Sequence, residues 1–89
     1  MVTSIILINA QRGKVNDVAQ ELADLDGISE VYSVSGNYDL VAIIRVRSND
    51  EIASLVTDHL TRINAIEHTE TMLAFKAYSK HDLESMFSI

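Results

Sequence analysis

The strongest constraint on the fold of this chain is a change of hydrophobic period, from strand to helix, that occurs twice in the same order. Residues 2–9 are β-branched and apolar on both alternating sides, which predicts a strand covered on both faces. From Val15 the apolar positions follow a helical period instead. This helix is predicted to stop at Asp26 and Gly27, because a glycine there can form a left-handed C-terminal cap. Its apolar face consists of Val15, Val18, Ala19, Leu22 and Leu25.

The remainder of the chain continues the alternation of strands and helices. Ser48 and Glu51 have the spacing of a capping box, in which side-chain oxygens accept hydrogen bonds from free N–H groups at a helix start. Strand periodicity and helical spacing together predict strands over residues 28–35, 39–47 and 66–79, a helix over 49–63, and a short closing helix over 80–89.

The two halves of the chain also resemble one another residue by residue. Five positions correspond at a constant offset: Leu22, Leu25, Asp26, Gly27 and Ile28 match Leu60, Ile63, Asn64, Ala65 and Ile66. A repeated β-α-β unit predicts the ferredoxin-like βαββαβ fold of the α+β class, in which both helices cover one face of a four-stranded antiparallel sheet. We expect residues 1–89 to form a single domain of this kind.

The other face of the predicted sheet carries information about assembly. The strands predicted over residues 39–47 and 66–79 are substantially apolar on both alternating sides, and two helices can cover only one of them. Soluble monomers rarely expose contiguous apolar patches above a few hundred Å². We therefore expect a second copy of the chain to bury this face, giving at least a two-fold homodimer.

Charge and composition exclude several classes of function. The chain has 13 acidic and 7 scattered basic residues and a net charge of −6, whereas nucleic-acid binding usually needs a concentrated basic face. It has no cysteine, no apolar run long enough to span a bilayer and no signal peptide, so we expect a cytoplasmic protein without membrane contact. We also expect no cofactor and no catalysis, because no nucleophile elbow, zinc-protease motif or phosphate-binding glycine loop is present.

The turn between the second and third strands is the richest candidate site. Gly36 and Asn37 can adopt positive φ at low cost, and the carboxylate of Asp39 can accept hydrogen bonds from nearby backbone N–H groups. These properties predict a tight hairpin connection, with Tyr38 at its end.

Around this turn the chain resembles the effector-binding and oligomerisation domain of the Lrp/AsnC transcription regulators. The resemblance covers nearly the whole chain, and its strongest element is the Gly-x-Tyr-Asp turn followed by an aliphatic strand. Its other elements are Gly13, the run Asp26-Gly27-Ile28 with Val31 and Val34, and Thr69 and Thr71 before Met72-Leu73.

The resemblance implies a stand-alone regulatory module, because family members normally carry an N-terminal helix-turn-helix domain and here the first strand begins at Val2. It further implies an oligomer built from dimers that binds a small effector, commonly an amino acid, where dimers meet. Association with a full-length regulator of the same family is also expected. The alternative is that the chain is an excised domain, against which its initial methionine weighs.

The site residues implied by the resemblance are Gly36, Asn37, Tyr38 and Asp39 on the turn, with Thr69 and Thr71 on the fourth strand. An amino acid offers an ammonium group that Asp39 can pair with and a carboxylate that turn N–H groups or threonine hydroxyls can hold. Tyr38 can supply an apolar wall with a polar tip.

Simpler interpretations remain beside these. The turn residues can serve backbone geometry alone, and the two threonines can be ordinary strand formers. His68 and Glu70 share one face of the fourth strand, as two metal ligands would, but no further ligand cluster of recognisable spacing accompanies them. One alternative function is that of a small dimeric α+β-barrel enzyme, since such enzymes have the same topology; His68 or Tyr32 would then act as acid or base. Another is a protein-binding chaperone or regulatory domain.

Overall fold

A computed structural model describes residues 1–78, and within them the predicted order of strands and helices is confirmed. The elements are β1 (Val2–Ala10), α1 (Val15–Ala23), β2 (Ile28–Ser33), β3 (Leu40–Val46), α2 (Asn49–Ser54) and β4 (Ile66–Leu73). After α2 the chain continues through a π-helical turn, Leu55–His59, and a 3₁₀ turn, Leu60–Arg62. The closing helix predicted over residues 80–89 lies outside the described residues.

The four strands form one antiparallel sheet in the order β2-β3-β1-β4. The central strand β1 pairs on both sides, so that Ile6 lies opposite Ala42 on β3 and opposite Thr71 on β4. Both helices cover the same face of the sheet. The ferredoxin-like α+β fold predicted from the repeated β-α-β pattern is therefore confirmed.

The core lies between this face and the two helices. Alternate residues of β1 and β3 are buried there, and α1 contributes Val18 and Leu22. The full set of buried apolar residues is Ile6, Ile8, Ala10, Val18, Leu22, Leu40, Ala42, Ile44, Val46, Ile52, Leu55, Leu60 and Ile63. Strict alternation along two adjacent strands fixes their register, because a slip of one residue would turn every core side chain outward.

The first helix ends earlier than predicted, at Ala23 instead of Asp26. Two successive turns follow, closed by hydrogen bonds from Leu25 N–H to the Leu22 carbonyl and from Ile28 N–H to the Leu25 carbonyl. Gly27 lies in the second turn with φ +93°, and a Cβ added there would be 2.9 Å from a Val46 methyl carbon. Because glycine has no Cβ, Gly27 can adopt the positive φ of the turn that leads into β2, and its backbone can lie close to Val46 of β3.

The second helix begins as predicted but is not regular to residue 63. The Ser48 hydroxyl accepts a hydrogen bond from Glu51 N–H at 3.3 Å, as in a capping box, whereas the Glu51 carboxylate accepts one from Arg47 N–H, the residue before the cap, at 3.0 Å. Farther along, the Thr57 hydroxyl donates to the Ala53 carbonyl and the Thr61 hydroxyl to the Thr57 carbonyl. Such side-chain bonds compete with the helical backbone ladder, which accounts for the π-helical and 3₁₀ turns.

The fourth strand was predicted to reach residue 79, but it ends at Leu73. Its last hydrogen bond to the sheet runs from Ala74 N–H to the Thr3 carbonyl, 2.9 Å. The chain leaves the sheet after this bond, before it reaches Val2, the first residue of β1.

The face of the sheet that the helices leave open has an apolar centre. Cross-strand partners share a face, and Ile5 pairs with both Ile43 and Met72, while Leu7 pairs with Val41. We call these five residues the open-face cluster. Among residues 1–78, none of the helices has both the length and the apolar character required of a transmembrane span.

Candidate functional site

The turn between β2 and β3 is fastened to the end of β1 by hydrogen bonds of Asp39. Gly36 adopts φ +111°, and Val34 N–H donates to the Asp39 carbonyl at 3.0 Å to close the turn. Asp39 N–H donates to the Ile8 carbonyl at 2.9 Å, and one carboxylate oxygen of Asp39 accepts from Ala10 N–H at 2.9 Å. Asp39 therefore positions the turn, with its second carboxylate oxygen left for another donor.

Tyr38 extends from this turn to β4 at the other edge of the sheet. Its hydroxyl donates to the Glu70 carboxylate at 2.5 Å, and its ring stacks on His68 with centroids 6.4 Å apart and planes 20° apart. The hydrogen bond to Glu70 raises the pKa of the Tyr38 phenol, because it stabilises the protonated form next to a negative charge. His68 and Glu70 lie opposite Asn9 and Leu7, so this contact is on the open face.

Thr69 and Thr71 lie on the other face of the sheet. They are opposite Ile8 and Ile6, which are buried beneath the helices. Thr71 lines an apolar groove of about 370 Å³ between β4 and α2, together with Ser4, Asn49, Ile52, Ala53, Val56 and Leu73. Thr69 lines a neighbouring cavity of about 250 Å³ along the same side of β4.

The six predicted ligand-binding residues are therefore not brought together within one chain. The turn carries Gly36 and Asn37, and Tyr38 crosses the open face, whereas both threonines lie on the helix-covered face. The sheet itself separates the two groups. Any single site that uses both must be completed by a second molecule.

Sequence reasoning missed four contacts in this part of the sheet. The anchor of Asp39 is the backbone N–H of Ala10, and the partners of Tyr38 are His68 and Glu70. Ser4, which is fully buried, donates its hydroxyl to the Met72 carbonyl at 2.8 Å. Strand alternation had put His68 and Glu70 on one face, but no local pattern shows that Tyr38 reaches Glu70 from 32 residues away.

A second polar cluster lies at the opposite edge of the open face. The Arg45 guanidinium donates to the Ser29 hydroxyl at 2.7 Å and to the Glu30 carboxylate at 3.2 Å, and the Tyr32 hydroxyl donates to the same carboxylate at 2.5 Å. The hydrogen bond from Tyr32, reinforced by Arg45, lowers the pKa of Glu30. The open-face cluster thus lies between two groups of tyrosine and glutamate.

The two residues considered for the enzyme alternative, Tyr32 and His68, lie apart in the sheet. Tyr32 is on the edge strand β2 and His68 is on the edge strand β4, with two strands between them. In the part of the chain that the structure describes, no group of three or more His, Asp or Glu side chains is arranged to hold a metal ion. Tyr32 and His68 therefore cannot act together as acid and base within one chain.

Comparison with known protein families adds an independent line of information. Residues 3–83 match the family model of the Lrp/AsnC ligand binding domain. The chain is similar to the HTH-type transcriptional regulator FL11 of Pyrococcus furiosus, with 33% identity over 79 residues, which make up 89% of this chain and 52% of that regulator. It spans about half the length of the curated relatives it matches first.

Solved structures show the same fold. The chain is similar to TTHA0845 from Thermus thermophilus, with a TM-score of 0.84 and 39% identity over 90% of this chain and 100% of that one. It also shares its fold with the transcriptional regulator NMB0573 of Neisseria meningitidis, solved in complex with L-Met. That likeness has a TM-score of 0.79 and 10% identity and covers 88% of this chain and 52% of the other, so it shows the fold alone.

Proposed function

Because this chain belongs to the Lrp/AsnC family, as one of its ligand-binding domains, we propose that it is a regulatory module that binds an amino acid at a junction between subunits. The observation that supports this most directly is the separation of the six predicted residues onto opposite faces of the sheet. A turn from one subunit and the threonines of another can form one pocket, whereas those of a single chain cannot. The site is therefore proposed to be composite.

The dimer in this proposal is formed by the open face. The open-face cluster supplies an apolar centre, and the Tyr32–Glu30–Arg45 and Tyr38–Glu70 groups supply a polar rim. Stable interfaces have this arrangement, with aromatic and arginine side chains enriched among the contacts. Two copies related by a two-fold axis would bury the same patch on each.

The proposed ligand class follows from the groups on the turn. One oxygen of Asp39 is engaged with Ala10 N–H, and the other can accept a hydrogen bond from an ammonium group. Gly36 leaves space around the turn backbone, since an added Cβ there would meet nothing within 4 Å. A ligand carboxylate can approach these N–H groups closely, and the complex of the Neisseria regulator with L-Met supports an amino acid as the class.

The proposed output is a change in assembly or in association with a full-length regulator of the family. The matched relatives are transcriptional regulators of which this chain covers about half, and the net charge of −6 makes direct binding of this chain to DNA unfavourable. The module is proposed to act in the cytoplasm, where such regulators meet their DNA. None of the observations on the described residues favours the enzyme or chaperone alternatives.

A thermal-shift screen of the twenty amino acids tests the proposed ligand class. We expect at least one saturable stabilisation, of about 2.7 kcal/mol when the ligand is at one hundred times its Kd. Asp39→Asn should lose this response while keeping the fold, since the amide oxygen can still accept from Ala10 N–H but carries no charge. The matched control is Asp24→Asn, which changes an exposed carboxylate at the end of α1 and should leave the response intact.

Two results would contradict the proposal. One is the absence of any saturable shift across the twenty amino acids. The other is a shift that Asp39→Asn and Asp24→Asn leave equally unchanged, because the ligand would then bind away from the turn.

A further inference from the structure

A cavity of about 590 Å³ lies between the beginning of β1 and the chain that follows β4. Its lining comes from residues 1–3, Ile5, Asn49 and residues 73–77, and we call it the strand-end cavity. The turn that holds Asp39 is fastened beside Ala10, at the other end of β1. The strand-end cavity is therefore a separate space from the turn of the proposed amino-acid site.

The strand-end cavity is also distinct from the groove between β4 and α2. Asn49 and Leu73 line both spaces and so lie between them, whereas neither Thr69 nor Thr71 lines the strand-end cavity. None of the six residues predicted to bind the amino acid is therefore part of it.

Most of the side chains around the strand-end cavity are apolar and accessible. Phe75 is 97% exposed and Leu73 is 47% exposed, and Ile5 lines the cavity with them. Small-molecule sites typically enclose about 300–1,000 Å³ with a mainly apolar lining and a few polar groups that orient the ligand. An apolar cavity of roughly 150 Å³ already admits a benzene ring. The strand-end cavity can thus remove an apolar ligand body of considerable size from water.

The charge of the strand-end cavity differs from that of the whole chain. The chain has 13 acidic residues and a net charge of −6, yet among the described residues that line the cavity the charged side chain is Lys76 and none is Asp or Glu. The Lys76 ammonium lies 5.1 Å from the centroid of the Tyr78 ring, whose negative face attracts a cation. This contact favours a defined position for one positive charge beside an apolar space.

We propose that the strand-end cavity binds a small amphipathic carboxylate of the medium-chain fatty acid class. Its alkyl chain lies against Ile5, Leu73 and Phe75, and its carboxylate lies at Lys76. Burial of the alkyl chain supplies affinity, and the lysine ammonium donates charge-assisted hydrogen bonds to the carboxylate. A cationic amphiphile of the same length would instead meet Lys76 as a like charge.

An amino acid does not suit this cavity. The described residues of its lining offer no carboxylate to the ligand's ammonium group, whereas the turn offers Asp39. The fatty-acid site and the proposed amino-acid site are therefore independent, and either can fail in experiment while the other holds.

NMR titration of the 89-residue chain tests the ligand class. Decanoate should bind saturably and shift the amide signals of Thr3, Leu73 and Ala77. From hexanoate to decanoate, Kd should fall about fourfold for each added methylene, as expected when each one is buried. Decylamine should bind more weakly than decanoate at the same signals. No saturable binding of decanoate, or equal binding of the amine, would overturn the proposal.

A pair of lysine variants tests the position of the carboxylate. Lys76→Gln should weaken decanoate binding about two- to fivefold, the range for a solvent-exposed ion pair, and leave the affinity for the neutral decanol unchanged. The matched control is Lys14→Gln, which removes another exposed lysine just before α1 and should change neither affinity. Equal weakening of decanoate binding in both variants would show a response to net charge alone and would overturn the proposal.

A pair of alanine variants tells the strand-end cavity from the groove between β4 and α2. Ala77 and Ala53 are both exposed, and Ala77 lines the cavity whereas Ala53 lines the groove. Ala77→Glu should weaken decanoate binding at least as much as Lys76→Gln does, because it places a like charge beside the carboxylate, and Ala53→Glu should not. The reverse result would place decanoate in the groove, and unchanged binding in both variants would place it elsewhere; either would overturn the proposal.

Discussion

At the scale of single residues, the contact between Tyr38 and Glu70 gives the turn its defined position over the open face. Glu70→Gln should lower the pKa of Tyr38 towards the ordinary tyrosine value, since the carboxylate hydrogen bond is the main cause of the raised pKa. The change is measured by phenolate absorbance in a background with Tyr32→Phe and Tyr78→Phe. Glu67→Gln is the matched control, because it alters an exposed carboxylate on the same strand.

The direction of the accompanying stability change follows from the sign of this shift. The pKa of Tyr38 is higher in the folded than in the unfolded state, so the interaction stabilises the fold fully below pH about 10 and is lost as pH rises through the folded-state pKa. Wild type should lose stability in this alkaline range more steeply than Glu70→Gln. Identical alkaline titrations of Glu70→Gln and wild type would contradict the assignment.

At this scale, sequence reasoning found the residues but not all their roles. Gly36 and Asp39 were correctly placed between β2 and β3, but this connection comprises residues 34–39 and is longer than the tight hairpin predicted from their turn chemistry. The side-chain partners of Asp39 and Tyr38 depend on where β1 and β4 come to lie beside the turn. These partners are determined by the register of strands that are distant in sequence, so the residues of the turn alone do not predict them.

At the scale of elements, the entry into β2 requires glycine at position 27 both for its positive φ and for its close packing. Gly27 has φ +93°, and an added Cβ there would lie 2.9 Å from Val46 Cγ1. Gly36 also has a positive φ, +111°, but an added Cβ there would meet nothing within 4 Å. Gly27→Ala should therefore lower the free energy of unfolding by about 2–4 kcal/mol, from backbone strain and overpacking together. Gly36→Ala should cost about 1–2 kcal/mol, from backbone strain alone.

Urea denaturation of the two variants measures this difference. Gly36→Ala is the control for positive φ, so the excess cost in Gly27→Ala reports the contact with Val46. Equal losses in the two variants would show that β3 shifts to accommodate the extra methyl group.

The elements also show where sequence patterns are informative. Apolar residues on both sides predicted β1 and β3 as strands covered on both faces, and the capping box placed the start of α2. The regular part of α2 is shorter than its apolar spacing predicts, because Thr57 and Thr61 bond to backbone carbonyls one turn earlier. Helical periodicity reports which face is buried and does not detect this competition.

At the scale of the whole molecule, the open face should determine the state of association. Ile43 belongs to the open-face cluster and lies opposite Ile5. Ile43→Arg should dissociate the proposed face-to-face dimer, because a buried unpaired charge is strongly destabilising at an interface. Sedimentation equilibrium should then give a smaller mass than wild type, in which that dimer persists.

The matched control for this experiment is Glu21→Arg, which introduces the same side chain on the exposed side of α1. It should leave the mass unchanged. A wild-type protein that sediments as a stable 9.9 kDa monomer at micromolar concentration would contradict both the dimer and the composite ligand site.

The order of strands in the sheet also governs how the chain must fold. Both neighbours of β1 come from far along the sequence, and the bond from Ser4 to Met72 joins residues 68 positions apart. Closing such long loops lowers the conformational entropy of the chain before the new contacts can stabilise it, so topologies rich in distant contacts fold slowly. β1 therefore cannot complete its pairing until β4, near the end of the described residues, has been made. We expect acquisition of structure in this protein to be late and cooperative on the ribosome, with β4 as its closing step.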